Sequence, residues 1–279
     1  MTRINELYGI PTDSKVDWRT VVAGQTCPFL NRKCIKVRKS QPDVSIGTCT
    51  VAPGKDATPL MICPYRLVEN GQVFLDCIHL LTLHQPGDEL HVVPEISLPG
   101  GSVDFFLASV RAGNVIDFVG IELQTLDTTG TVWPERQRFL AAQGLRAAKA
   151  DTDSPKTFGV NWKMTAKTTL VQLHHKVATL EALSKHLVLT IQEPFFNYMS
   201  NAFSFGHLKE PAAVGDFMQF HVYSLNQTKD AYRLGLERRL STDSSGIALA
   251  LGLQASPNVE LEVLTKNIAD KISDETRLT

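Results

Sequence analysis

The chain has 279 residues and a formal net charge of −1. It is 43% hydrophobic and 20% charged, the balance of a folded globular protein and not of a disordered or fibrous one. No apolar run reaches the roughly 18 residues needed to cross a bilayer, and the first residues lack the apolar stretch of a secretory signal, so a cytoplasmic protein with no membrane partner is expected.

A near-neutral total gives no global signature of nucleic-acid binding, which needs only a local positive field. One such field lies between Cys27 and Pro42, where Arg32, Lys33, Lys36, Arg38 and Lys39 occur without an acidic residue. On composition alone, a solvated loop explains it as well as a phosphate-facing one does. The same segment opens a run of four cysteines, Cys27, Cys34, Cys49 and Cys63, spaced C-x6-C-x14-C-x13-C. Two of them precede proline, and Gly47 lies just before Cys49; such turns let loop sulfurs converge on one ion. The spacing is not the paired knuckle of a zinc ribbon, and it leaves four-sulfur metal binding only slightly ahead of buried reduced thiols. Cys77 sits in an apolar stretch at helical spacing and reads as a core residue.

Residues 68–84 read as a helix, with Val73, Cys77, Leu80, Leu81 and His84 on one face. Residues 89–98, 102–110 and 115–126 read as strands, joined by a turn at Pro99-Gly100-Gly101 and a hairpin at 111–114. A helix follows at 134–149, with Pro134 suited to a first helical position. The clearest helix is 168–185, where Leu170, Leu173, Val177 and Leu180 form a stripe. Strands at 186–193 and 218–225 and a helix at 259–273 complete the reading. The order is that of a mixed α/β core, with a lobe over 1–67 and a catalytic domain over 68–279.

Asp104 falls near the start of the second strand, and Glu122 and Gln124 within the third. Residues two apart share a strand face, so Glu122 and Gln124 point together, away from Ile121 and Leu123. Glu122 interrupts the apolar run FVGIELQTL. A carboxylate there needs a partner, because burying a bare charge is costly. The hairpin can set Asp104 beside it, and a divalent cation between two carboxylates removes their repulsion and supplies Lewis acidity. A strand carboxylate paired with Arg or Lys is the plainer reading.

The helix–three strands–helix–strand order is that of the PD-(D/E)xK nucleases. Long stretches, PEISLPGGSVDFFLASV (94–110), DFVGIELQTLDTTGTVWPERQRFL (117–140), NWKMTAKTTLVQLHHK (161–176) and the segment from Cys27 to Pro64, resemble the NotI group of restriction endonucleases. The resemblance implies a type II enzyme that cuts double-stranded DNA with Mg²⁺ and works as a homodimer on a GC-rich palindrome with a GGCC centre. It implies that Asp104 and Glu122 hold the Mg²⁺, that Gln124 stands where the motif's lysine is usual, and that Glu95 is a further acidic residue of the site. It also implies that Cys27, Cys34, Cys49 and Cys63 hold a structural metal, iron in NotI; thiolate chemistry accommodates iron or zinc.

Glutamine can orient a water but carries no charge. Lys163 and Lys167, at the entrance to the long helix, are the expected replacements, and Arg32, Lys33 and Lys36 the expected phosphate contacts. His174 and His175 are adjacent on that helix and cannot both face one ion. No P-loop or GxGxxG occurs, so no nucleotide cofactor is expected. The alternatives are a DNA-binding protein that keeps the fold without cutting and a phosphodiesterase acting on RNA or single strands.

Overall fold

The computed structural model describes residues 2–54, 58–228, 231–253, 261–271, 273, 276 and 277. Chain order begins with β1 (Ile4–Leu7), β2 (Ile10–Pro11), α1 (Trp18–Gly24), β3 (Thr26–Cys27), β4 (Arg32–Lys33), β5 (Val37–Arg38), β6 (Gln41–Ser45), β7 (Thr48–Val51) and β8 (Leu60–Met61). Four of these form a sheet ordered β2-β1-β7-β8, and β3–β4 and β5–β6 are two-stranded ribbons standing off it. Asp17 starts α1 by accepting a hydrogen bond from the Arg19 backbone N–H at 3.0 Å. The lobe's small core is completed from outside it, since Phe139 and Leu140 pack with Leu7, Tyr8 and Trp18.

The segment 68–84 is not the single helix that its apolar spacing predicts. It holds a 3₁₀ stretch (Pro64–Gly71), one α turn, α2 (Gln72–Leu75), and a second 3₁₀ turn (Ile78–Leu80). Asn70 and Gly71 take φ of 53° and 67°, left-handed values that break a right-handed helix. Val73, Cys77, Leu80 and Leu81 are nonetheless buried, so the periodicity recorded one-sided burial and not a continuous helix.

The main sheet follows. β9 (Glu89–Leu98), β10 (Gly101–Arg111) and β11 (Asn114–Gln124) form an antiparallel meander. After β12 (Thr128–Gly130) come α3 (Trp133–Ala142), α4 (Lys149–Thr152), β13 (Phe158–Val160) and α5 (Trp162–Ala182). The helix expected over 134–149 stops early because Gly144 turns left-handed at φ 72°. Then come β14 (Leu187–Gln192), α6 (Glu193–Ala202), β15 (Met218–Gln227), β16 (Tyr232–Thr242), α7 (Ser244–Ala250) and α8 (Leu261–Ala269). Residues 259, 260 and 272 of the expected last helix lie outside the described residues. The six strands are ordered β16-β15-β14-β11-β10-β9, with β11, β14 and β15 parallel and antiparallel hairpins at both edges.

Both faces of the sheet are covered over its inner strands, while β9 is exposed along almost its whole length. On one side Leu170, Leu173, Val177 and Leu180 of α5 pack with Leu187, Leu189 and Phe220, and with Phe196 of α6 and Ile247 of α7. On the other, the broken helical segment sets Leu67, Val73, Phe74 and Leu80 against Leu107, Ile121, Leu123 and Val188. Two glycines fix how α5 sits. A Cβ on Gly120 would come within 3.0 Å of Leu180 and Leu187, and one on Gly100 within 2.8 Å of His175. Gly100 also needs its φ of 99°, and the Thr179 hydroxyl donates to the Pro99 carbonyl at 3.0 Å, so the β9–β10 turn is seated on the helix.

Candidate active site

β10 and β11 pair from Arg111↔Asn114 to Phe105↔Ile121 and then part. Beyond that point β11 is held by β14 through Gly120–Gln124. Asp104 and Glu122 are the next residues of the two parting strands. The Asp104 carboxylate takes up a backbone group that the ladder leaves free, accepting from the Leu123 N–H at 2.8 Å. Glu122 points to the α5 side and accepts from Lys176 Nζ at 2.8 Å, with side-chain exposures of 12% and 7%.

Burial governs the charge of this pair. It raises Asp104 above the usual carboxylate range, against the Leu123 N–H and Lys176, which favour the charged form. Glu122 is pushed up to about 7, first by burial and further by the Asp104 charge, although Lys176 opposes both. The result is two neighbouring carboxylates in a partly dry site, with one cation between helix and strand.

Glu95 lies opposite Asp104 across the β9–β10 pair. The register is the same at Ile96↔Val103 and at Pro94↔Phe105, and the ladder is interrupted between them at Glu95 and Asp104. Glu95 takes φ 48°, rare for a residue with a side chain, and its charge adds to the rise of Asp104. Both line a cavity of about 330 Å³ whose far wall comes from the N-terminal lobe, as Arg32 and Tyr65. Burial raises the Tyr65 phenol, and the Glu95 and Asp104 charges raise it further.

The remaining expected residues fall as follows. Gln124 shares the Glu122 face, but its Nε2 donates to the Thr125 carbonyl at 2.7 Å. Lys163 and Lys167 are exposed on the first turns of α5. Lys33 and Lys36 are exposed as well, with Nζ donating to the carbonyls of Asp43 at 3.0 Å and Ile62 at 2.8 Å. Arg38 pairs with Asp151 at 3.3 Å and lies over the Trp133 ring. His175 is exposed and His174 half-buried.

The four N-terminal cysteines are brought into one lobe, with Cys27, Cys49 and Cys63 buried and Cys34 half-buried. The thiol of Cys27 is raised by burial and by Cys34; Cys49 by burial, Cys63 and Cys27; Cys63 by burial, Cys34 and Cys27. Backbone N–H groups of Phe29 and Leu30, of Gly9 and of Tyr65 face Cys27, Cys49 and Cys63 in turn and favour their thiolates. Even so, among the described residues no group of three or more His, Cys, Asp or Glu is drawn together as a metal site. Cys77 stands apart in the core, its thiol donating to the Val73 carbonyl at 3.2 Å.

A family model described as Restriction endonuclease NotI matches residues 18–234. The chain belongs to the NotI restriction endonuclease family. It is therefore a type II site-specific endonuclease that acts on DNA. The NotI match takes in the four N-terminal cysteines, both carboxylates and all of α5, and ends within β16. No curated protein matches the chain. The sequence reading missed two residues of this candidate site. Lys176 carried a signal, a charge on the apolar stripe three residues after Leu173 and four before Leu180. Tyr65 carried none, since only the fold of the lobe brings it beside Asp104.

Proposed function

We propose that the chain hydrolyses phosphodiester bonds of double-stranded DNA at the Asp104–Glu122 pair with Mg²⁺, cutting both strands of a GC-rich palindrome as a homodimer. The carrying observation is the pair itself, two half-buried carboxylates at the point where β10 and β11 part, one of them raised to about 7. Mg²⁺ characteristically takes one or two carboxylates and fills its other positions with water and substrate phosphate, so this donor set suits it. When bound, the cation supplies Lewis acidity and a water of lowered pKa. Asp104 is oriented by the Leu123 N–H, and Glu122 by Lys176. Glu95 adds negative charge on the open side, and Gln124 lies within reach of a water on the Glu122 face. In the reaction a water oxygen bonds to phosphorus, the P–O bond to the leaving strand breaks, the water gives up one proton and the leaving oxygen gains one.

The domain reading remains 1–67 as a lobe and 68–279 as the nuclease. Two-fold symmetry would give a palindrome one site per strand. Arg32, Lys33 and Lys36 would meet phosphates on the lobe side, and Lys163 and Lys167 on the helix side. The test is incubation of the purified protein with duplex DNA and Mg²⁺, followed by mapping of the ends. Cuts in both strands at one fixed sequence, abolished by chelation, are expected. Specific binding without cutting would favour a silent DNA-binding protein, and cleavage confined to RNA or single strands another phosphodiesterase.

The charge state of Glu122 makes the cation's effect depend on pH. A raised carboxylate pKa favours the folded state in its protonated form. That contribution is whole below the ordinary carboxylate range and is lost as pH rises through about 7. Cation binding needs the ionised form and compensates the loss. Added Mg²⁺ should therefore raise the melting temperature more at about pH 8 than at about pH 6. In Glu122→Gln that difference should vanish; equal shifts in the native protein would contradict the assignment.

The four-cysteine reading rests on the shared lobe and on the N–H groups facing three sulfurs, the environment a thiolate needs. Purified protein should carry about one iron or zinc per chain. Cys49→Ser should lose that metal and lower the melting temperature, and Cys77→Ser should keep it. Metal-free protein that folds and cuts normally would show these to be buried thiols only.

A further inference from the structure

Lys176 sits where a leucine or methionine would fill the space at less cost. The buried face of α5 runs Thr165, Ala166, Thr169, Leu170, Leu173, Lys176, Val177, Leu180, and Lys176 is 5% exposed within it. A buried ammonium is held in place by compensation, which comes here from Glu122 Oε1 at 2.8 Å and the nearby Asp104 charge. Its stem is positioned as well, since the Cβ point of Gly101 lies 3.4 Å from Lys176 Cε, and Pro99 and Gly100 lock the adjoining turn onto α5. The strand motif itself provides no cation, because it ends in Gln124, whose amide is turned to the Thr125 carbonyl. Lys163 and Lys167 are exposed, and Lys185 is committed to Asp117 near the other end of β11.

We propose that Lys176, projecting from the helix, carries the positive charge that the strand motif lacks at Gln124, and that it contacts the phosphate being cleaved. The proposal rests on the carboxylate reading above. Before substrate and cation arrive, Lys176 neutralises Glu122. With Glu122 shared by a divalent cation, Nζ would be free to hydrogen-bond a non-bridging phosphate oxygen, where negative charge grows as water attacks. A helix and a strand two residues from Glu122 thus offer alternative supports for one charge, with Glu122 and Gln124 on the same strand face.

Double-variant kinetics test this. Lys176→Met should slow single-turnover cleavage at saturating Mg²⁺ by about 10²–10³-fold, the scale for removing one group that stabilises developing charge. Half-saturating Mg²⁺ should fall or stay level in that variant, because a positive charge beside the carboxylates has been removed; a purely structural lysine predicts weaker Mg²⁺ binding as the site loosens. Adding Gln124→Lys in the Lys176→Met background should recover at least about tenfold of the lost rate. Circular dichroism and melting check folding, and Lys176→Gln with the same second substitution replaces the methionine variant if that one fails to fold. A folded single variant that cuts at the native rate would overturn the proposal, and so would a folded double variant with no recovery. Glu122→Gln run alongside separates the two readings: if it also cuts normally, the carboxylate assignment is what has failed.

Discussion

Glu122→Gln and Asp104→Asn should each lower the rate of duplex cleavage by about 10³-fold or more, roughly 4 kcal/mol of transition-state stabilisation. Both substitutions keep shape and hydrogen bonding. The glutamine carbonyl can still accept from Lys176 Nζ, now 2.8 Å from Glu122 Oε1, and the asparagine carbonyl can still accept from the Leu123 N–H. What each removes is negative charge at the parting of β10 and β11. Cation affinity depends on that charge, whereas duplex affinity depends on phosphate contacts elsewhere. Specific binding of uncut duplex, followed by mobility shift without Mg²⁺, should therefore stay within about threefold of the native protein. Cleavage within tenfold of native by either variant would contradict the assignment.

The largest effect on stability is expected away from the carboxylates. Arg66 is 1% exposed, and its guanidinium reaches Glu6 at 3.0 Å, Glu69 at 3.0 Å and the Tyr232 carbonyl at 2.7 Å. Glu6 is fully buried, and burial raises it above the usual carboxylate range while Arg66 pulls it back. This one side chain ties β1, the 3₁₀ stretch and β16 together. Arg66→Met should cost about 3–5 kcal/mol, because it strands a buried carboxylate instead of replacing the whole pair. At roughly 2–4 °C per kcal/mol for a domain of this size, the melting temperature should fall by about 10 °C. Glu6→Leu added to Arg66→Met should regain part of that loss, and a melt unchanged by Arg66→Met would refute the account of the junction. Arg66 lies between Tyr65 and Leu67, so the same variant should also loosen the lobe-side wall of the cavity.

The meander was legible in the sequence because it is local. Alternation, the Pro99-Gly100-Gly101 turn and the 111–114 connection set β9, β10 and β11 to within a few residues and brought Asp104 beside Glu122. The parting of β10 and β11 was not legible; past it β11 keeps its pairing with β14, a strand more than sixty residues downstream. Nor was the left-handed backbone at Glu95, which reads as ordinary strand. At 68–84, apolar spacing recorded which side is buried but not that Asn70 and Gly71 break the helix. α6, β16 and α7 were missed although signals existed: Pro194 in the first turn of α6, alternation in YRLGLERRL, and Asp243 capping α7 through the Gly246 N–H at 2.8 Å. Lys176 was passed over for Lys163 and Lys167 because a lysine inside a leucine stripe reads as an imperfection of the stripe. It is better read as a request for a buried anion, and Glu122 is the anion it meets.

The most direct measurement is a titration of Mn²⁺, a paramagnetic stand-in for Mg²⁺, into the protein bound to uncut duplex, followed by electron paramagnetic resonance. The account predicts a bound-ion signal in the native protein that saturates, weakens strongly in Asp104→Asn, and is absent in Glu122→Gln over the same concentration range. A Glu122→Gln protein that binds Mn²⁺ as the native one does would contradict it.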